Sequence, residues 1–432
     1  MRRVISAPRT GAADGLYSMS RAARTFCRGA LTCARRALHA LTMTERLFPL
    51  PRPARFALFY GAFYFGFGAY LPYMPVWYEA RGLTPELIGL AAGAAMAGRV
   101  VAAPLGAALA DRMAKRRHAV IGFALASFLI FSAHIPASSA YLIVPLAVLA
   151  GGAFSGVVPV IDAFAMGEAS RRRFGFGPPR AFGSAAFIVG NLGCGALIGH
   201  FGGEAALYWT LCGAALSVAA ALFLPEGRRE PAQRARQSGP GDLVAALSAS
   251  GLPWAFAASA LIQAAHGFYY AFSAVAWQAA GVPAGYIGAL WATGVAAEIV
   301  FFWLSSRQLS AMSPAMLMAL GGAAAVVRWI ALAASPPLPA LFALQLLHAF
   351  SFGATYLGFL RFATAAAPAR YAATAQAVNS ALSGGLVLAA ATYASGFAYA
   401  AFGAGGFALM AAPSFAGLCC AAALTRRTRI AP

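Results

Sequence analysis

Residues 155–191 read SGVVPVIDAFAMGEASRRRFGFGPPRAFGSAAFIVGN: the end of one apolar run, a short basic connector and the start of the next. Apolar runs on both sides of an Arg-Arg-Arg turn predict two successive membrane-crossing helices. Asp162 and Arg180 are set where those helices leave and re-enter the bilayer. A bare carboxylate or guanidinium in hydrocarbon costs roughly 2.5 to 3.5 kcal/mol on insertion scales, so each has to be paired, hydrated or used. Two readings stand side by side: an interfacial charge pair that fixes topology, or an acid and a base that handle cargo.

Composition agrees with a membrane protein. With 61% hydrophobic residues, 10% charged residues, 46 glycines and a mean hydropathy of +0.70, there is too little polar surface to wrap a soluble globule. The formal net charge of +20 falls in short connectors and tails between apolar runs, which speaks for topology and against a nucleic-acid partner. Residues 1–53 are Arg-rich, with Asp14 and Glu45 the only acids. They are expected to be a basic, disordered cytoplasmic arm, or to precede a true start at Met43. A basic amphipathic helix built on Arg21, Arg24, Arg28, Arg35 and Arg36 is the other option.

From Arg55 onward the expected crossings are 55–78, 87–110, 118–135, 140–168, 181–201, 205–224, 253–280, 284–304, 314–334, 338–362, 370–401 and 404–424, each near the length a crossing helix needs. Uninterrupted apolar runs of this length can span only as helices. The expected fold is therefore an all-α integral membrane protein of twelve transmembrane helices in two six-helix halves, 54–224 and 253–424, joined by a cytoplasmic linker at 225–252 and ending in a tail at 425–432. Every second connector is basic (Arg112, Lys115, Arg116 and Arg117; Arg171, Arg172 and Arg173; Arg228 and Arg229; Arg307; Arg361 and Arg370), so both termini are expected in the cytoplasm.

The halves echo each other. Gly82-Leu-Thr-Pro-Glu-Leu-Ile-Gly89 opens the second helix and Gly281-Val-Pro-Ala-Gly-Tyr-Ile-Gly288 opens the eighth, 199 positions later. The same offset lays Arg99 on Glu298, as expected of a duplicated bundle whose repeats rock against each other. Further polar groups inside spans are Arg328, His266, His348, Gln263, Gln345, Gln376 and Asn379. Arg99 and Arg328 against Asp162 and Glu298 form a set that neutralises itself, and function is the preferred reading of it. Aromatics crowd the first helix (Phe59, Tyr60, Phe63, Tyr64, Phe67, Tyr70, Tyr73) and the seventh (Phe268, Tyr269, Tyr270, Phe272, Trp277), enough to hold a flat apolar cargo.

The connector Ala107-Ala-Leu-Ala-Asp111-Arg112-Met-Ala-Lys115-Arg116-Arg117 resembles the loop G-x-L-A-D-R-x-G-R-K of the major facilitator superfamily, with Ala107 and Ala114 in place of its glycines. The resemblance marks Asp111 and Arg112 as conformational-loop residues. The stretch Gln263 to Gly281, QAAHGFYYAFSAVAWQAAG, together with Val295-Ala-Ala-Glu298, Val326-Val-Arg328-Trp329 and Gln345-Leu-Leu-His348, resembles the phenylpropionate-transporting, proton-linked branch of that superfamily. Pro159-Val-Ile-Asp162-Ala-Phe164 and Phe176-Gly-Pro-Pro-Arg180-Ala-Phe182-Gly183 resemble the lactose-permease branch, which implies a substrate-binding acid and base at Asp162 and Arg180 and coupling residues at Arg328 and His348. That branch's proton-carrying glutamate falls here on Ser351, and its seventh-helix acids fall near Tyr270 and Ser273, so Glu298 becomes the candidate proton carrier.

The function implied is secondary active transport: proton-coupled uptake of a small organic solute such as an aromatic carboxylate, by alternating access around a midplane site. Asp162, Arg180, His266, Tyr269, Tyr270 and Trp277 are the expected substrate residues, and Glu298, Arg328, His348 and Arg99 the expected coupling residues. An exporter, or a nucleoside or sugar proton symporter, is the alternative. No H-E-x-x-H occurs and the six cysteines (Cys27, Cys33, Cys194, Cys212, Cys419, Cys420) have no metal spacing, so neither an enzyme nor a metal site is expected. The expected setting is a multi-pass monomer in the cell inner membrane, needing protons and lipid but no cofactor.

Overall fold

The computed structural model describes residues 50–112, 115–227, 251–305, 311–367 and 371–430, with 241, 244 and 309. Most of the N-terminal arm, most of the 225–252 linker and the last two residues of the tail lie outside the described residues. The described residues are almost entirely helical. The helices are α1 (Arg52–Ala80), α2 (Pro85–Arg112), α3 (Arg116–His134), α4 (Ala140–Arg172), α5 (Gly177–Phe201), α6 (Glu204–Ala221), α7 (Leu252–Ala264), α8 (Gly267–Ala279), α9 (Ala284–Ser305), α10 (Pro314–Ala333), α11 (Leu338–Leu346), α12 (Thr355–Ala366), α13 (Ala372–Ala381), α14 (Val387–Phe402) and α15 (Ala411–Ile430). Two π-helical turns, Ala349–Ala354 and Leu382–Leu386, and a 3₁₀ stretch, Gly403–Met410, interrupt the last third. Such widened turns inside helices gather at functional sites.

Nine stretches among the described residues are by themselves long and apolar enough to cross a bilayer, against twelve crossings expected. The difference of three has physical sources. α1 is 29 residues long but is not among the nine, its five tyrosines and three prolines diluting its apolar residues. The 53-residue run Thr374–Arg426 counts once, although it is broken by the positive φ of Gly403. The expected seventh span is divided into α7 and α8, each of 13 residues. The division falls at His266, whose Nδ1 lies 3.2 and 3.1 Å from the carbonyl oxygens of Ile262 and Gln263. The imidazole thus adds a polar partner for carbonyls at the interruption, that of Gln263 also accepting from the His266 backbone N–H at 3.1 Å.

Within the first half, α1 packs on α5 and α6, α2 on α4, and α3 on α4 and α6; within the second, α10 packs on α12 and α15, and α15 on α7. Glycine sets the distance of closest approach. A Cβ at Gly68 would strike the backbone of Phe187, Gly190 and Asn191, and one at Gly190 would strike Phe65 and Gly68. Gly190→Val is therefore expected to lower stability by about 1 to 3 kcal/mol, read as an earlier thermal transition in detergent. Gly122→Ala, whose Cβ meets nothing within 4 Å, is the neutral control.

Helices α1–α6 meet the later elements where α2 lies on α14, on the Leu382–Leu386 turn and on α8, where α5 lies on α9, and where α1 lies on α8. At the end of the bundle that carries the Gly82 and Gly281 connectors, Gly89 lies on Gly396, and Gly195 and Gly288 meet around the Tyr73 hydroxyl. The space left there, lined by Tyr70, Met74, Tyr78, Met96, Tyr270 and Thr392, is a cavity of about 20 Å³. It holds about one water molecule.

Candidate functional site

Two polar clusters join the helices. The first joins α1, α4 and α5. Tyr60 and Tyr64 are one turn apart and share a face of α1. The connector from α4 to α5 is short: Arg173, with φ 55°, ends α4, and Pro178 and Pro179 open α5 in the first-turn positions that suit proline. That geometry brings Arg180 back beside Asp162. Tyr60 Oη donates to Asp162 Oδ1 at 2.7 Å, and Arg180 Nη2 donates to Tyr64 Oη at 2.6 Å. Arg180 Nε is 3.9 Å from Asp162 Oδ1, an ion pair without a hydrogen bond, and the guanidinium lies 4.4 Å from the Tyr64 ring centre. The two ionic side chains remain about a third and a quarter exposed, at 32% and 27%.

The second cluster is built on Arg328 of α10, which is fully buried. Its guanidinium donates to Gln345 Oε1 at 2.8 Å, to His348 Nδ1 at 3.1 Å and, more weakly, to Ser351 Oγ at 3.5 Å. It also rests 4.5 Å from the Tyr269 ring and 4.7 Å from that of Trp329. Tyr269 Oη donates to Gln345 Oε1 at 3.1 Å, and His266 Nε2 is 3.2 Å from Ser351 Oγ. Because His348 Nδ1 faces a guanidinium donor it carries no proton, which leaves Nε2–H to face Glu298 Oε2 at 3.5 Å. Arg328, His348 and Glu298 are thus joined in a line, with a neutral imidazole between cation and anion.

Tyr64 is within electrostatic range of Arg180, Asp162 and Arg99; Tyr270 is within range of Glu298, Arg328 and Arg99; and Glu298 is within range of Arg180. Of the residues singled out in the sequence, Asp162 and Arg180 meet in the first cluster, Arg328, His348 and Glu298 in the second, Tyr270 lies beside His266 with ring centres 5.9 Å apart, and Arg99 contacts the thioether of Met96 at 3.5 Å. His266 and Tyr269 are buried in the Arg328 network, and Trp277 packs behind Tyr269 with ring centres 6.0 Å apart. Asp111 and Arg112 close α2.

Arg180 also alters the charge balance. The set expected to neutralise itself left this residue out. With it in place, three arginines (Arg99, Arg180, Arg328) stand against two acids (Asp162, Glu298).

Sequence reasoning gave Tyr60, Tyr64, Gln345 and Ser351 no individual task, although the four-residue spacing of the tyrosines and the three-residue spacing of Gln345, His348 and Ser351 put each group on one helical face. It also passed over Glu168, which is buried at the end of α4 and binds Arg52 of α1 and Arg171, the latter at 2.9 Å. Glu204 of α6 likewise holds Arg81 at 2.7 Å and accepts from Trp77 Nε1 at 3.0 Å. These two clusters fasten the ends of α1 to its neighbours.

Helices long and apolar enough to cross a bilayer, with ionic side chains paired between them, define a multi-pass membrane protein. The chain belongs to the MFS_1 like family of the major facilitator superfamily, whose profile matches residues 54–409. It is 32% identical over 356 residues to a probable 3-phenylpropionic acid transporter of Escherichia coli (strain K12), covering 82% of this chain and 93% of that protein. It is 28% identical over 339 residues to the maltose permease of Geobacillus stearothermophilus, covering 78% and 84%. Among solved structures, the nucleoside transporter NupG matches with a TM-score of 0.75 at 14% identity, covering 87% of this chain and all of that one. The protein is a multi-pass transporter and not an enzyme.

Proposed function

We propose that this transporter carries out proton-coupled uptake of a small aromatic carboxylate, 3-phenylpropionate-like, by alternating access between the halves 54–224 and 253–424. The observation that supports this reading most is the loose tether of Arg180. Its carboxylate neighbour is 3.9 Å away and its close hydrogen bond is to a tyrosine hydroxyl, so its fork is open to a cargo carboxylate. Asp162 keeps its bond from Tyr60 when that exchange occurs, so no buried anion is stranded. Likeness to a probable 3-phenylpropionic acid transporter supports the cargo class.

Tyr64, Tyr70 and Tyr270 offer ring faces to the cargo, with His266, Tyr269 and Trp277 fixing Tyr270 and its helix from behind. Glu298 is the proton carrier. When it is protonated, the line through His348 no longer balances Arg328, and the bundle favours the arrangement that restores an anion to the site. Arg99 belongs to the same coupling set. The protein works as a monomer in the cell inner membrane with both termini and the Asp111–Arg112 turn on the cytoplasmic side, driven by the proton gradient and no cofactor.

Reconstitution in proteoliposomes tests this. Labelled 3-phenylpropionate uptake is expected to rise when the outside is made acidic, and Arg180→Ala to lower it on the order of tenfold or more, with Arg180→Lys in between. Uptake indifferent to the gradient, or unchanged by Arg180→Ala, rejects the reading. Likeness to a maltose permease favours one second reading, a sugar symporter. Inhibition of phenylpropionate uptake by excess maltose would mark it.

A further inference from the structure

We infer that the end of α4 binds an anionic phospholipid by its phosphate, held between Arg116 and Arg171 over the bare backbone of Gly167. This needs nothing from the cargo assignment above.

Two neighbouring helices make the site. Arg116 opens α3, reaches across to α4 and donates from Nη1 to the Ala163 carbonyl at 3.2 Å. Arg171 folds back along α4, its Nε donating to the Gly167 carbonyl at 3.2 Å and its Nη2 to Glu168 Oε1 at 2.9 Å. Gly167 lies between the two guanidinium groups. A Cβ there would come within 3.5 Å of Arg116 Nη1 and 3.8 Å of Arg171 Nη2, so these nitrogens are about 7 Å apart at most. Each still carries a second hydrogen. Two oxygens of one phosphate, each accepting at about 2.8 Å, span that gap.

Charge selects an anionic headgroup. The one hydrogen-bond partner of Arg116 among the described residues is a carbonyl, so no carboxylate there answers its charge. Glu168 is buried and already shared by Arg52 and Arg171, while Arg172 and Arg173 beside it are exposed. A zwitterionic headgroup would bring a cation of its own into this group of arginines. Position selects a lipid. Ala163 and Ser170 share a side of α4 with Gly167 at helical spacing and are exposed, and Tyr141, Pro145 and Leu149 leave the same side exposed at the other end of this 33-residue helix. A side open at both ends of a membrane-crossing helix faces acyl chains, and arginines at its end stand at headgroup level.

The test uses the purified full-length protein in detergent with dioleoylphosphatidylglycerol, dioleoylphosphatidylcholine or inorganic phosphate added, reading bound lipid by native mass spectrometry and stability by thermal unfolding. The phosphatidylglycerol is expected to bind at least about fivefold more tightly than the phosphatidylcholine and to raise the thermal transition, which inorganic phosphate leaves in place. Arg116→Gln should weaken the anionic lipid about fivefold and leave the choline lipid unchanged. Gly167→Leu should weaken it as much, because it fills the space between the guanidinium groups without altering charge. The chain's net charge of +20 makes general attraction the rival explanation. Arg426→Gln, which removes an exposed arginine elsewhere, is therefore expected to keep the preference. Unfolding without lipid checks that each variant is assembled, and if Arg116→Gln is not, Gly167→Leu decides. Equal binding of the two lipids, an equal loss in Arg426→Gln, undiminished binding by Gly167→Leu, or equal stabilisation by inorganic phosphate overturns the inference. None of these outcomes bears on transport of 3-phenylpropionate.

Discussion

Glu298→Gln is expected to abolish accumulation of cargo against its gradient while leaving exchange of labelled for unlabelled cargo in place. The amide has the volume of the acid and still offers His348 Nε2–H an oxygen, so the packing of α9 on the π-helical turn should hold. What it loses is the ability to take up and release a proton. Net movement tied to the proton gradient needs that cycle; one-for-one exchange does not. The measurement is a pair of proteoliposome assays on one preparation, gradient-driven uptake and equilibrium exchange. Accumulation that survives the substitution would remove Glu298 from the proton path, and loss of both activities would point to a structural role.

Arg328→Met should have the largest effect on the folded state. The guanidinium supplies hydrogen bonds to Gln345, His348 and Ser351 and lies over the rings of Tyr269 and Trp329, all away from water. Its loss leaves the Gln345 oxygen and His348 Nδ1 short of their charged donor and Glu298 without the cation that balances it. Removing one member of a buried charged set typically costs about 3 to 5 kcal/mol. Transport should fall below detection and the thermal transition should drop with it. Arg328→Lys is not expected to rescue either, since a single ammonium cannot reproduce the planar fork that serves three acceptors at once. A melting temperature unchanged in Arg328→Met would contradict this network.

Much of the architecture was readable because the bilayer leaves so few options. Runs such as 140–168 and 181–201 are long and apolar, and a backbone in hydrocarbon must bond to itself. The crossings at Ala140–Arg172 and Gly177–Phe201 follow their predicted limits closely, apart from ends extended into polar sequence. The split of the expected seventh span was not readable, because it depends on His266 turning its ring back onto the carbonyls of Ile262 and Gln263. A histidine's side-chain direction leaves no trace in hydropathy. The polar clusters were half readable. Asp162, Arg180, Glu298 and Arg99 stood out because charge inside a span is rare, whereas Tyr60 and Tyr64 were hidden among the many other aromatics of the first and seventh spans. Which tyrosine holds which ion is decided by the tight entry into α5, where Arg173, Pro178 and Pro179 set the height of Arg180.

The widened turn at Ala349–Ala354 has a mechanical meaning. It stores one residue more than an α-helix needs between His348 and Thr355, which is itself anchored to the Ser351 carbonyl at 2.9 Å. If that slack travels one position along the chain, the side chains it passes turn by about 100° while those on either side keep their register. The imidazole of His348 sits at the edge of this swivel, so a small slide would rotate it off Glu298 without unpacking the bundle. An acid that has just gained a proton could in this way be uncoupled from Arg328 by a local click of one helix, well before any larger rearrangement of the halves.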